Sequence, residues 1–211
     1  MNTRKVLIAD DHTIFREGLK QLIARTMDLR VAEEAENGNE ALRKLRQQDF
    51  DLVILDISMP DKNGLDVLAE INRTKPTLPV LILSMYPEEQ FAVRALKSGA
   101  AGYLTKGSSS QDILDALRRV MSGKKYISPA LAEILADGLQ TDSDRPLHES
   151  LSTREYQVAA MMAAGTKPLQ IAEELAMSVK TVGTYRVRIF NKMNIKSNAE
   201  LVRYFIEQEL L

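Results

Sequence analysis

The sequence predicts an α/β fold, a doubly wound parallel sheet of five strands, followed by a smaller all-α region built around a helix-turn-helix. Three observations predict it. Short apolar runs alternate with helix-periodic stretches five times between residues 5 and 122, the pattern of a parallel sheet wound with helices. The third run, Leu52-Val53-Ile54-Leu55, has no polar position and enters Asp56 directly, as a strand buried on both faces does. Beyond Pro146 the strand signals stop, and the apolar period is helical throughout.

Taken in order, Val6-Leu7-Ile8-Ala9 is a first strand ending at Asp10-Asp11, and Ile14, Phe15, Leu19, Leu22 and Ile23 then recur at helical spacing. Leu29-Arg30-Val31-Ala32 is a weaker strand, and Asn37 caps a helix carrying Ala41, Leu42 and Leu45. The central strand, 52–56, meets a turn at Pro60-Asp61 and Asn63-Gly64, then a helix marked by Leu65, Leu68 and Ile71 and stopped before Pro76. Pro79 to Ser84 is a fourth strand. Phe91, Ala92, Ala95 and Leu96 mark a fourth helix, which Gly99 ends. Ala100 to Leu104 is a fifth strand reaching Thr105-Lys106, and Ser110 caps a fifth helix with Ile113, Leu114, Leu117 and Val120 that Gly123 closes.

A short helical pattern over 128–136 leads into Asp137 to Pro146, polar and turn-rich, which reads as a linker. Ser152 and Glu155 then form a capping box for a helix with Tyr156, Val158, Ala159 and Met162. Residues 168–176 make a second short helix, a break falls at Met177-Ser178, a third helix runs to about Met193, and Asn198 to Leu211 is a fourth. The chain thus divides into residues 1–123, a linker with a short helix at 124–147, and residues 148–211.

Composition narrows the function. The absence of cysteine removes disulfides and thiolate metal sites. The two histidines, His12 and His148, read as too isolated for a zinc site. The apolar run after Arg4-Lys5 is too short for a signal peptide and no stretch spans a bilayer, so a cytoplasmic protein without membrane contact is expected. Residues 1–150 carry 20 basic and 23 acidic side chains, and residues 151–211 carry 8 and 6. The last quarter therefore leans basic, which permits a nucleic-acid surface there.

Right-handed crossovers bring the carboxyl ends of all the strands to one edge, where open α/β sheets bind ligands. That edge collects Asp10, Asp11, Asp56, Ser84 and Lys106. Taken singly, each could be a turn, a cap or a surface residue; together they make a pocket. Two carboxylates about 4 Å apart repel by roughly 4 kcal/mol at an effective dielectric near 20. A cation must offset that, or one group must stay protonated, and hard oxygen donors favour Mg²⁺ over zinc. Carboxylates, a metal, the Lys106 cation and the Ser84 hydroxyl suit a phosphoryl group. Asp56 is then the natural nucleophile, since Asp10 and Asp11 sit side by side for the metal.

Asp10-Asp11, Asp56 with Met59-Pro60 and Gly64, Ser84, and Tyr103 before Lys106 resemble the receiver domain of bacterial two-component response regulators over about residues 3–123. The resemblance implies a flavodoxin-like receiver in which Asp56 accepts a phosphoryl group from a sensor histidine kinase. It implies that Asp11, Asp56 and the Ser58 carbonyl bind Mg²⁺ with Asp10 in support, that Ser84 and Lys106 contact phosphoryl oxygens, and that Tyr103 rotates as Ser84 moves. Gly107 follows Lys106 where many receivers have proline.

In the last region, the helix-break-helix at 168–193 has the shape of a helix-turn-helix, whose second helix enters the major groove. At 100° per residue, Val179, Val182, Ile189 and Met193 fall on a core side, while Lys180, Thr184, Val187 and Asn191 fall opposite with Arg188 beside them. A cation, hydrogen-bonding side chains and an apolar group can meet phosphates, base edges and thymine methyls. Leu151-Ser152-Thr153-Arg154-Glu155, Gly165, Ile171-Ala172, Leu175, Ser178, Thr181-Val182 and Lys192-Met193 resemble the NarL/FixJ/LuxR helix-turn-helix, and Tyr185-Arg186-Val187-Arg188 is most similar to its GacA/UvrY branch. The resemblance adds Thr181 to the DNA-contacting set and implies a dimer contact through the last helix. That family often has lysine after the Thr-Val pair; here stands Gly183, at a cost of about 1 kcal/mol of helix stability. Arg186 lies nearer the core side.

The expectation is a phosphorylation-switched regulator rather than an enzyme, binding double-stranded promoter DNA as a homodimer when phosphorylated or DNA-bound. A stand-alone phosphatase or phosphotransferase is the rival from the enzyme class, and the pocket has no obvious specificity loop to support it. A pure protein-docking module is the third reading.

Overall fold

The computed structural model describes residues 3–138 and 146–211. The chain forms two compact units, divided between Ala136 and Asp137.

The first unit alternates β1 (Arg4–Ala9), α1 (Thr13–Ala24), β2 (Leu29–Ala35), α2 (Gly38–Gln47), β3 (Leu52–Leu55), α3 (Gly64–Thr74), β4 (Val80–Ser84), α4 (Glu88–Lys97), β5 (Gly102–Thr105) and α5 (Ser110–Met121). The five strands are parallel, in the order β2-β1-β3-β4-β5. Alternate strand residues Val6, Ile8, Leu52, Ile54, Leu81, Leu83 and Leu104 pack with Leu19, Leu22 and Ile23 of α1 and Ile113, Ala116, Leu117 and Val120 of α5. The residues between them, Leu7, Val53, Leu55, Ile82 and Tyr103, are also fully buried. Both faces of the sheet are therefore covered, which is why the central strand β3 is apolar at every position.

Four local readings change. β2 runs on to Ala35 through Glu33 and Glu34, because this edge strand is dressed in ion pairs: Glu33 with Lys44, and Glu34 with Lys20 and Arg16. Charge on an edge strand also blunts pairing with other chains. Ile14 is 91% exposed and Arg16 takes its place on the buried side of α1. The cap of α5 is Ser109, not Ser110; Ser109 and Asp112 form a reciprocal capping box. The short pattern near 128 is α6 (Pro129–Gly138), and its Leu131 is buried. Ser128 caps its first turn and bonds Glu88 at the start of α4, so the first half of the expected linker packs with the sheet domain. Residues 139–145 of that linker lie outside the described residues.

The second unit is a 3-10 turn (Leu147–Ser150) followed by α7 (Thr153–Ala163), α8 (Pro168–Glu174), α9 (Val179–Met193) and α10 (Asn198–Glu207). Tyr156, Ile171, Leu175, Val182, Ile189, Met193, Leu201 and Phe205 fill its centre. The Ser152–Glu155 capping box forms as expected. α8 stops early because Ala176 turns into the left-handed region at φ 49°. α10 stops at Glu207, with Glu209 left-handed at φ 53°, so Leu211 is not helical.

Glu155 is buried and takes hydrogen bonds from the Ser152 N–H (2.7 Å) and Lys192 Nζ (2.6 Å). Burial alone raises its pKa; the bonds from Lys192 and Ser152 outweigh this and hold the carboxyl below the ordinary glutamate range. A carboxyl depressed in the folded state contributes stability above its unfolded pKa, and that stability is lost as pH falls through the folded one. Glu155→Ala is expected to lower the stability of this unit by about 2 kcal/mol. Glu155→Gln is expected to flatten its acid-side loss, both read from urea melts between neutral pH and pH values below the carboxylate range.

Candidate functional site

The site is built from the residues just beyond the strand ends. Asp10 and Asp56 are the first residues past β1 and β3, and Lys106 the first past β5. Each is still pinned by the ladder: Asp10 N–H donates to the Ala35 carbonyl (2.9 Å), Asp56 N–H to Ala9 (2.9 Å), and Lys106 N–H to Ser84 (2.7 Å). Gly64 closes the floor under Asp56. A Cβ there would sit 1.9 Å from the Asp56 carbonyl oxygen, so only glycine permits this approach. Asn63 beside it is buried and caps α3, accepting from Leu65 N–H at 2.8 Å.

Asp10, Asp56 and Lys106 come together. The Lys106 ammonium is 2.7 Å from an oxygen of each carboxylate, and all three side chains are almost wholly buried. It also lies 4.9 Å from the centre of the Phe15 ring. Burial raises the Asp56 pKa; Lys106 pulls against this, the Asp10 charge adds to it, and the net shift is upward. A carboxylate made more basic this way is a better nucleophile while ionised.

Asp11 faces solvent and joins through His12, whose Nδ1 lies 2.7 Å from Asp11 Oδ1, 3.3 Å from Asp10 Oδ1 and 3.3 Å from Lys106 Nζ. His12 is thus not the isolated histidine its sequence spacing suggested. Oxygen or nitrogen atoms of Asp10, Asp11, His12 and Asp56 all lie within 4.8 Å of one another, a group that could hold a metal ion. Three carboxylates face one lysine there, so the donor set has room for a divalent cation. Ser58 lies over the Asp56 carboxylate, with its N–H 3.2 Å from Oδ1.

Ser84 is buried at the end of β4, and its hydroxyl accepts from the Tyr86 N–H at 3.4 Å. Tyr103 stands on the edge strand β5 but is fully buried, donating from its phenol to the Tyr86 carbonyl at 2.8 Å. Its burial raises its pKa far above the ordinary value, although a bond with Ser84 opposes that. Ser84 and Tyr103 therefore meet each other, one step away from the Lys106 cluster.

Sequence reasoning passed over Arg16, Phe15 and the side-chain role of His12. Arg16 is buried and donates to the Asp10 carbonyl (2.6 Å), to Glu36 (2.8 Å) and to Glu34 (3.3 Å). The available signal was an arginine at a buried position of the α1 repeat.

In the helical unit, Arg154 of α7 bonds the Leu175 carbonyl at the end of α8 and Gln157 at 3.0 Å, holding the break before α9. Ser178 caps α9, accepting from the Thr181 N–H at 3.1 Å. Val182, Ile189 and Met193 are buried as expected, but Val179 is 46% exposed because it opens the helix beyond the packed stripe. Lys180, Thr181, Thr184, Val187, Arg188 and Asn191 are all exposed, with Val187 at 60%. Arg186 is also exposed, and its guanidinium lies over the Phe190 ring, 5.1 Å from the centre. Leu201 and Phe205 of α10 belong to the core, while Ile206 is exposed.

Fold and pocket together define a class, a receiver-type switch in one unit joined to a helix-turn-helix output in the other. The family of response regulator receiver domains matches residues 6–118, and that of bacterial regulatory proteins of the luxR family matches residues 149–205. The chain belongs to the two-component response regulators of the LuxR type. The response regulator GacA of Pseudomonas aeruginosa is 38% identical over 198 residues, 93% of this chain and 92% of that protein. The response regulator UvrY of Escherichia coli K12 is 34% identical over 206 residues, 97% and 94%. RcsB of Salmonella enterica serovar Typhimurium, solved on the rprA promoter with phosphomimetic BeF3−, is similar with a TM-score of 0.67 at 26% identity, covering 96% of this chain and 98% of that one. No helix among the described residues is long and apolar enough to cross a membrane.

Arg16 offers a test of how the pocket is held. Arg16→Ala leaves the buried Asp10 carbonyl without its side-chain donor and takes one partner from Glu36 and from Glu34, which keeps Lys20, and is expected to destabilise the sheet unit by about 2 kcal/mol. Arg16→Lys is expected to recover only part of this, since an ammonium lacks the planar fork; chemical denaturation of the two variants beside the parent checks both.

Proposed function

We propose that Asp56 is the phosphoacceptor of a switch that controls promoter binding by α9. The observation that carries this is the buried Lys106 ammonium held 2.7 Å from both Asp56 and Asp10. An Asp56 oxygen attacks the phosphorus of a phosphohistidine on a sensor histidine kinase, the P–N bond breaks, and its electron pair stays on the histidine nitrogen, which takes a proton from water. Asp10, Asp11, Asp56 and the Ser58 carbonyl would hold Mg²⁺, which supplies charge neutralisation at the phosphoryl oxygens. Lys106 shares that task from the other side. Ser84 turns from Tyr86 toward the new phosphoryl group, and Tyr103, bonded beside it, follows.

The output we propose is sequence-specific binding to double-stranded promoter DNA in the cytoplasm. Lys180 and Arg188 meet phosphates or guanine edges, Thr181, Thr184 and Asn191 hydrogen-bond, and Val187 meets a thymine methyl. Support comes from the exposure of all six on one helix and from the likeness to RcsB solved on a promoter. A homodimer, with exposed Ile206 of α10 in the contact, would link two half-sites and raise affinity without new contacts.

Two outcomes test this. Asp56→Asn should take no label from radioactive acetyl phosphate; persistent labelling of that variant removes Asp56 as nucleophile. For the DNA face, Lys180→Ala should weaken binding on all duplexes alike and lower the slope of log affinity against log salt by about 0.9. An unchanged slope would take Lys180 off the phosphates.

A further inference from the structure

Gly183 stands inside α9, and nothing within its own unit calls for a glycine. A Cβ built there meets no heavy atom within 4 Å, and its φ is not in the left-handed region. Gly64 is the contrast, since there a Cβ would strike backbone at 1.9 Å. Gly183 is exposed, and so are Lys180 one turn before it, Thr184 beside it and Val187 one turn after it. Positions three and four apart share a helix face, so the missing side chain leaves a notch within the exposed patch. Glycine is the poorest ordinary helix former because it loses the most backbone freedom. The helix therefore keeps a destabilising residue at a place where alanine would fit. What the missing Cβ provides is the close approach of another molecule to the backbone.

We propose that Gly183 is a specificity-determining residue: the edge of one base pair enters the notch between Lys180, Thr184 and Val187, so that α9 sits deeper in the major groove. The inference rests on the reading of α9 as the DNA-contacting helix. A base edge fits the notch better than a phosphate does, because Val187 at its rim is apolar and base edges, unlike phosphates, present methyl groups.

The test uses the full chain, phosphorylated by acetyl phosphate with Mg²⁺. It is titrated onto duplexes that the wild type selects from a random pool, and onto a scrambled duplex of the same length. For Gly183→Ala the melting temperature of the helical unit should rise. Affinity for the selected duplexes should fall roughly tenfold, the scale of one lost base contact, and affinity for the scrambled duplex should stay the same. Equal losses on both duplexes would overturn the assignment to a base edge, and unchanged or tighter binding of the selected duplexes would overturn it altogether. A wild type that enriches no duplex removes the DNA reading itself and this inference with it, a result distinguishable from either behaviour of the variant.

Discussion

The site depends on the parallel ladder reaching one residue past the strands. Asp10, Asp56 and Lys106 lie just beyond the strands, yet each still gives its N–H to the last carbonyl of a neighbouring strand. Parallel pairing sends every strand end to the same edge, whereas antiparallel neighbours would end on opposite edges. Burial on both faces then locks the register. A slip of β1 by one residue against β3 would move Asp10 by about 3.3 Å and turn its side chain to the other face. The geometry of three charged groups far apart in sequence is thus set by the apolar residues behind them.

Charge balance explains why the cluster is receptive. Lys106 is buried against two carboxylates, while Asp11 adds a third negative group at the rim. Removing one partner from such a set costs more than the pair is worth, because the other charge stays desolvated. The set is short of positive charge, and Arg16 relieves this only from behind, through the Asp10 carbonyl. Under the proposed chemistry, a phosphoryl group brings up to about two negative charges to the Asp56 side. Lys106 then has a stronger partner than Asp10. Its backbone N–H is tied to the Ser84 carbonyl, so under that chemistry the ammonium would move by side-chain rotation.

Legibility in the sequence depended on the force that sets each feature. Strand and helix order could be read because burial imposes a period, and the apolar run 52–55 is a direct record of two covered faces. The convergence of Asp10, Asp56 and Lys106 was legible through crossover handedness alone. Features held by single side chains were not. Ser109 and Ser110 offer the same hydroxyl one residue apart, and only the reach of Asp112 chooses between them. Arg16 looks like a surface residue until the acceptors around it are known, since Glu34, Glu36 and the Asp10 carbonyl come from other elements. Val179 follows the apolar period but sits at the helix start, where no neighbour covers it. Tyr103 stands on the edge strand β5 yet is fully buried, and strand alternation does not say how far its phenol reaches inward.

The helical unit solves the opposite problem. Its proposed functional side chains come from one helix, so their relative placement is guaranteed by helical geometry and needs no convergence. What must be arranged is that α9 presents them outward. Val182, Ile189 and Met193 set its rotation, Lys192 ties its end to Glu155, and Arg154 holds the carbonyl at the end of α8 just before it. With orientation carried by these residues, the exposed face is released from folding duties. Its residues are then chosen for what they touch outside the chain. Sequence on that face should therefore vary with the duplex recognised, while the buried stripe and the Glu155–Lys192 pair should not. Gly183 belongs to the first set by the same reasoning, since no contact among the described residues of its unit accounts for it.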